Sequence, residues 1–400
     1  MGGMSDYHHG LRPESRIVHP PVTEVTGSRP LGVPLHQGHV FAFPDSDTLA
    51  DAFGGPDKAF LYSRNGNPTV RSLEHAVADL EGGSGALAAS TGMGAITTVL
   101  LALLRSGDHV IAQRSLYGGT FATLADLAAR WGVSVTHVRG DDPEEVRAAL
   151  RPTTRLLYLE TVSNPTARVA DLPALIGAAR EAGVLSVVDN TFTTPLLCRP
   201  IEHGADIVIH SATKYLGGHS DVMAGVAVFA DTGLHHRVWH HAVEQGATLD
   251  PFAAWLTLRG MQTLGLRIRR HNETALDLAG RLAAHPAVAA VHHPGLPGHP
   301  DHELARRLLP DGQGGVFAVD LAGGREAARA FVGAVRLASL APSLGGVHTL
   351  VLHPASTSHR QLSDDELTAA GIGPGTVRIA AGIEHPEDVW ADLEQALAKL

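Results

Sequence analysis

His210-Ser-Ala-Thr-Lys214-Tyr-Leu-Gly-Gly-His-Ser-Asp221 follows the apolar run Asp206-Ile-Val-Ile-His210 and breaks into a loop at Gly217-Gly218. The run reads as a buried strand, and the glycines as its exit. A lysine there stands out. Charged lysine is costly to bury, and its pKa falls readily on desolvation, which suits a Schiff-base amine. Elsewhere the chain relies on arginine and has lysine only at Lys58, Lys214 and Lys399. The ordinary alternative is a surface lysine in a loop. In so lysine-poor a chain, one set between the hydroxyls of Ser211 and Thr213 is read as present for its amine.

Working outward, apolar runs alternate with amphipathic stretches from about residue 70. The runs Ala86–Ser90, His109–Ala112, Val133–His137, Leu156–Glu160, Leu185–Asp189, Asp206–His210 and Gly225–Phe229 are expected strands. Thr120–Trp131, Pro143–Leu150 and Leu172–Ala182 between them fit helices. This alternation predicts a mostly parallel sheet covered on both faces, with ligands at the carboxyl ends of its strands. A long helical pattern, Pro251 to Ala284, leads to a smaller α+β part. There Val288–His293, Val316–Val319, Thr349–Leu352 and Val377–Ala380 are expected strands, and Arg325–Val335 and Pro386–Ala398 helices. The expected division is an arm over 1–60 that contacts a neighbouring subunit, a cofactor-binding domain over 61–255 and a C-terminal domain over 256–400.

Bulk composition narrows the function. Four hundred residues, 44 % hydrophobic and 18 % charged, describe an ordinary globular protein. A net charge of −10 without basic runs gives no support to nucleic-acid or anionic-membrane binding. No run is long enough to span a bilayer and no signal-peptide pattern opens the chain, so cytoplasm is the expected compartment. The single cysteine, Cys198, excludes an internal disulfide, and the 25 histidines lack ligand spacing, so no metal is expected.

The remaining strand ends supply polar groups. Ala86–Ser90 runs into Thr91-Gly92-Met93-Gly94, which opens a helix; such a terminus can bind a phosphate or be a plain tight turn. It is also half of a dinucleotide fingerprint, but the third glycine is missing. Asp189 ends an apolar strand, where a protonated pyridine nitrogen or an N-cap duty would accommodate it. Asn164 precedes Pro165, and Tyr117 stands in a Gly-rich turn where a ring can stack on a flat cofactor. Phosphate cradle, aromatic face, acid and lone lysine together describe a pyridoxal phosphate site.

These residues resemble the Cys/Met-metabolism family of pyridoxal phosphate enzymes, which includes cystathionine γ-synthase and γ-lyase, methionine γ-lyase and O-acylhomoserine sulfhydrylase. The resemblance rests on Tyr62-Ser-Arg64-Asn-Gly-Asn-Pro-Thr69, Gly92-Met93, Leu116-Tyr117-Gly118-Gly119-Thr120, Val188-Asp189-Asn190-Thr191, Ser211-Ala-Thr-Lys214-Tyr215, Ser343-Leu-Gly-Gly346 and Val377-Arg378-Ile379. It implies the large aspartate-aminotransferase-like fold type I, an α/β architecture with a seven-stranded mostly parallel sheet, assembled as a homotetramer of two dimers. It further implies that Lys214 holds pyridoxal 5′-phosphate and shuttles protons, Asp189 pairs with the ring nitrogen and Tyr117 stacks on the ring. Gly92, Met93, Ser211 and Thr213 would bind the phosphate, joined by Tyr62 and Arg64 of a neighbouring subunit. Asn164 would orient the ring oxygen, and Ser343 the lysine side. Arg378 would clamp the substrate carboxylate, with Ser343, Tyr62, Gly119 and His348 also facing the substrate.

Within that family the reaction is less determined. Methionine γ-lyases carry a cysteine where this chain has Gly119, and cystathionine enzymes tend to carry glutamate where it has His348. The stretch His353-Pro-Ala-Ser-Thr-Ser-His-Arg-Gln-Leu362 and the Gly371-Ile-Gly-Pro-Gly375 lead-in look most like sulfhydrylases and methionine γ-lyases. The expected activity is trans-sulfuration by γ-replacement on an O-acyl-L-homoserine with a thiol or other nucleophile. The alternative is γ-elimination to 2-oxobutanoate and ammonia, and a more distant one is a cofactor-binding subunit without catalysis.

Overall fold

The computed structural model describes residues 11–19, 30–358, 360, 363, 365, 367 and 371–400. Residues 1–10 and 20–29 of the expected arm, and His359, Gln361 and Leu362 of the stretch that begins at His353, lie outside the described residues. The chain divides into two compact units, Met1–Ser106 with Arg199–Gly265 and Gly107–Cys198 with Leu266–Leu400.

Seven strands fall where the apolar runs predicted them, within two residues: β1 (Gly85–Ala89), β2 (His109–Gln113), β3 (Ser134–Val138), β4 (Thr154–Glu160), β5 (Leu185–Asp189), β6 (Ile207–His210) and β7 (Gly225–Phe229). Their order in one sheet is β1-β7-β6-β5-β4-β2-β3. Of these, β5, β4, β2 and β3 are parallel neighbours, and β7 runs antiparallel to both β1 and β6. The buried strands β2, β6 and β7 hide every residue, which is why they read as unbroken apolar runs rather than as alternation.

In the first unit, the helix Pro68–Glu81 packs beside β1. Its start is set by Asn67, whose side-chain oxygen accepts from the Thr69 and Val70 amides at 2.9 and 3.4 Å, with Pro68 in the first turn. It stops at Gly82 with φ +77°, a conformation that favours glycine. Glu74 on this helix accepts the Ala88 amide of β1 at 2.8 Å. At its last residue, Glu81 meets His210 of β6 in a buried contact of 2.6 Å. The helical pattern expected over Pro251–Ala284 is two helices, Pro251–Met261 and Leu264–Ala283. Both the amide and the hydroxyl of Thr263 return to the Gly260 carbonyl, at 3.2 and 3.1 Å, and this turn closes the first helix.

In the second unit, Gly118–Trp131, Pro143–Ala149 and Leu172–Glu181 are the expected helices. The C-terminal strands β8 (Val288–His292), β9 (Val316–Leu321), β10 (Ser339–Leu340), β11 (Leu350–Leu352) and β12 (Thr376–Ala380) form a five-stranded sheet ordered β10-β11-β12-β9-β8. Its apolar face, with Phe317, Val319, Val377 and Ile379, closes on Leu278, Leu282, Phe331 and Leu393 from the helices Leu264–Ala283, Gly324–Ala334 and Pro386–Leu397. Several elements escaped the sequence reading, among them β10, with only two residues, the seven-residue helix His302–Leu308 in a Pro- and His-rich stretch, the helix Thr232–Gln245, and, within the expected arm, the helices Pro13–Val18 and Ser46–Ala52. Cys198 is 4 % exposed.

Burial pushes the Glu74 carboxyl up to about 7, against the opposing pull of the Ala88 amide and the Arg71 guanidinium. The folded pKa lies above the ordinary 4.5, so the stability linked to this group is fully present below pH 4.5 and lost as pH rises through 7. Glu74→Gln keeps an acceptor for Ala88 and cannot ionise. The stability difference between wild type and E74Q, measured by urea unfolding, should therefore change by up to roughly 3 kcal/mol between pH 4.5 and 8, wild type losing ground as pH rises.

Candidate active site

The lysine segment of the first unit is a tight turn rather than a core position. Lys214 is half-buried; its amide donates to the Ser211 carbonyl at 3.0 Å and its carbonyl accepts from Gly218 at 2.7 Å. Thr213 locks the turn against the strand that follows. Its hydroxyl donates to the Ala224 carbonyl at 3.1 Å and accepts the Ala224 amide at 3.0 Å, which commits its only proton.

Beside this turn lies the start of the twelve-residue helix Gly92–Leu103. Thr91 caps it by accepting the Gly94 amide at 2.8 Å. The opening amides of such a helix have no intrahelical partner, and the macrodipole favours an anion there. Gly92 belongs to this cradle for a steric reason, since a Cβ on it would stand 2.7 Å from both Cβ and Oγ of Ser211. From the other side, a Cβ on Gly225 would collide with the Thr91 carbonyl oxygen and stand 2.9 Å from Gly92 Cα. Gly92, Met93, Ser211, Thr213 and Lys214 thus surround two backbone turns pressed together. Tyr62 and Arg64 are engaged elsewhere in the unit: the Arg64 guanidinium donates to the Val243 carbonyl and lies 5.9 Å from the centre of the Tyr62 ring.

The second unit gathers the other residues. Asp189 ends β5 and accepts the Thr191 amide at 3.0 Å. Arg378, on β12 and 5 % exposed, donates to the Asn164 side-chain oxygen at 3.2 Å and to the Ser343 carbonyl at 2.7 Å. Ser343 presents that carbonyl from φ +97°, a strained conformation for a residue with a side chain. The tie from Arg378 is made to its main-chain carbonyl. Tyr117, 46 % exposed, precedes the helix Gly118–Trp131. Gly119 is the second residue of that helix, and His348 is exposed on the loop before β11. Sequence reasoning passed over Glu160, the last residue of β4, whose carboxylate accepts the Tyr117 amide at 2.6 Å. Its signal was the one that identified Asp189, an acid closing an apolar run.

These donors suit a phosphorylated pyridine aldehyde. In the first unit, helix-terminal amides and a serine hydroxyl are groups that would suit a phosphate and the lysine amine one that would suit an aldehyde; in the second, a strand-end carboxylate is what a protonated ring nitrogen would need. The architecture is that of pyridoxal phosphate enzymes of fold type I. A crystal structure of cystathionine γ-synthase from Xanthomonas oryzae pv. oryzae in complex with cystathionine superimposes with a TM-score of 0.91 at 40 % identity, covering 97 % of this chain and 98 % of that one. Residues 15–398 match the model of the Cys/Met metabolism PLP-dependent enzymes, and the chain belongs to that family. Relatives include an L-methionine γ-lyase of Porphyromonas gingivalis, 43 % identical over 92 % of this chain and 93 % of its own length. A cystathionine γ-synthase of Mycobacterium bovis is 42 % identical over 98 % of each chain. The chain is thus a pyridoxal-phosphate-dependent enzyme of sulfur amino-acid metabolism.

The crowding at Gly225 makes it a sensitive probe of the cradle. Gly225→Ala should destabilise the protein by about 1–3 kcal/mol, in the range of overpacked cores. It should also weaken cofactor retention, because Thr91 and Gly92 must move. Urea unfolding and dialysis against cofactor-free buffer measure the two effects.

Proposed function

We propose that the protein catalyses γ-replacement on an O-acyl-L-homoserine, expelling the acyl group as its carboxylic acid and joining a thiol or other nucleophile to Cγ. Gly119 carries this reading. It stands in the helix that begins beside Tyr117, at the position where methionine γ-lyases carry a cysteine. Pyridoxal phosphate, when bound, supplies an electron sink that acidifies the substrate's Cα hydrogen. Lys214 anchors the cofactor, takes the Cα proton on Nζ and returns protons later in the cycle. Gly92, Met93 and Ser211 receive the phosphate, and Thr213 keeps the lysine turn in place through Ala224. Asp189 holds the ring nitrogen, Tyr117 covers the ring and Asn164 meets the ring oxygen. Arg378 receives the substrate carboxylate with the two-pronged geometry of a guanidinium; Asn164 and the Ser343 carbonyl hold it in orientation.

Tyr62 and Arg64 complete the phosphate site of a neighbouring subunit in a homotetramer, with the arm over 1–60 lying on that neighbour. The cytoplasm is the working compartment. His348 borders the substrate in place of the glutamate of cystathionine enzymes and bears on the choice of nucleophile; His348→Glu tests that part by altering the preference among thiols. A second reading, γ-elimination to 2-oxobutanoate and ammonia, is favoured by the similarity to methionine γ-lyases.

Purified protein given O-acetyl- or O-succinyl-L-homoserine should yield a thioether or thiol amino acid as the main product when sulfide or a thiol is added. If 2-oxobutanoate and ammonia dominate with and without the thiol, elimination is the reaction. Lys214→Ala should lower turnover at least a hundredfold, the scale of losing a general acid–base, while leaving the fold cooperative. Retained turnover would remove Lys214 from the mechanism.

A further inference from the structure

Glu160 is a carboxylic acid 4 % exposed at the end of β4, in a place where the chemistry so far gives it no task. Burying a carboxyl is costly without strong partners, so the partners show its purpose. Its Oε1 accepts the Tyr117 amide at 2.6 Å, and the Asn164 amide acts on the same carboxyl. Tyr117 is the N-terminal boundary residue of the helix Gly118–Trp131 and offers that helix no side-chain cap. Glu160 fills that role from another strand, placing an acceptor where the helix dipole favours one. Its own amide is fixed in turn by the Gln113 side-chain oxygen at 2.9 Å, from the end of β2. Across the parallel β4–β5 pair Glu160 stands in register with Asp189. Adjacent strands lie about 4.8 Å apart, so a second full negative charge beside Asp189 is disfavoured. Accordingly, burial first and the Asp189 charge second hold the Glu160 carboxyl well above the usual carboxylate range.

We propose that Glu160 is a positioning residue, whose buried carboxyl ties together the loop that carries Tyr117 and the loop that carries Asn164. The ring face and the oriented partner of Arg378 are then set by one group that touches neither substrate nor cofactor. This rests on the reading of Tyr117 and Asn164 as site residues, and the test separates the two ideas. Holoenzymes of wild type, Glu160→Ala, Glu160→Gln and Tyr117→Ala are compared by hydrogen exchange, by cofactor dissociation constant and by kcat and KM. E160A should speed exchange in the segments 116–120 and 161–166 selectively and weaken cofactor binding about tenfold, the size of one lost buried hydrogen bond to a carboxyl. Its KM should rise as well, because Arg378 loses orientation. E160Q, which keeps an acceptor for the Tyr117 amide, should recover most of the protection of 116–120 and of the cofactor affinity. Wild-type exchange in both segments of E160A overturns the proposal, as does faster exchange spread evenly over the sheet. If Y117A weakens the cofactor and E160A does not, the positioning role alone fails. If Y117A leaves the cofactor untouched, the site reading fails, and the two exchange segments still decide whether Glu160 couples the loops.

Discussion

The carbonyl oxygen of Thr91 occupies the space in which residue 225 would otherwise carry a side chain. This approach fixes the turn between β1 and its helix against the start of β7, and other features of the cradle depend on it. Ala224, next in line, grips the Thr213 hydroxyl through both its amide and its carbonyl. Ser211, two residues earlier, leaves Gly92 no room for a Cβ. Lys214 thus projects from a turn held on both sides by backbone contact. Close packing of this kind resists adjustment, because a single added methyl has nowhere to go.

The second unit solves a different problem, that of keeping polar groups in a dry interior. Arg378 is nearly inaccessible, and a buried guanidinium is tolerable only with acceptors in place. A side-chain oxygen from Asn164 and a main-chain oxygen from Ser343 serve its two terminal nitrogens. The Ser343 carbonyl meets Arg378 from a residue held at positive φ. Strain placed at one residue orients another, a pattern found at sites where geometry outweighs local comfort.

Much of this was legible in the sequence because its signals are local. An apolar run ending in an acid or a glycine turn announces a strand and its carboxyl end, as at Leu156–Glu160, Leu185–Asp189 and Asp206–His210; that β7 runs antiparallel to both of its neighbours was announced by no such signal. The break at Thr263 was not legible, since it depends on one hydroxyl choosing its own helix's carbonyl over solvent. Helix His302–Leu308 was hidden by the prolines and histidines ahead of it. Among the candidate residues, identities could be read while modes of contact could not. Nothing in the string told that the Ser343 carbonyl meets Arg378, or that the Thr213 proton is committed to Ala224. Glu160 was in plain view, but its importance arises from Tyr117, whose amide lies 43 positions away along the chain.

The burial of Cys198 has a practical side. It is the only sulfur of its kind in the chain, and it sits 4 % exposed behind a loop whose Asn190 side chain donates to its carbonyl at 2.8 Å. Alkylating reagents and mild oxidants act on accessible thiolates, and this chain shows them none. The protein can be stored without reductant. A cysteine introduced at any surface position would be its single handle for a dye, a spin label or a solid support.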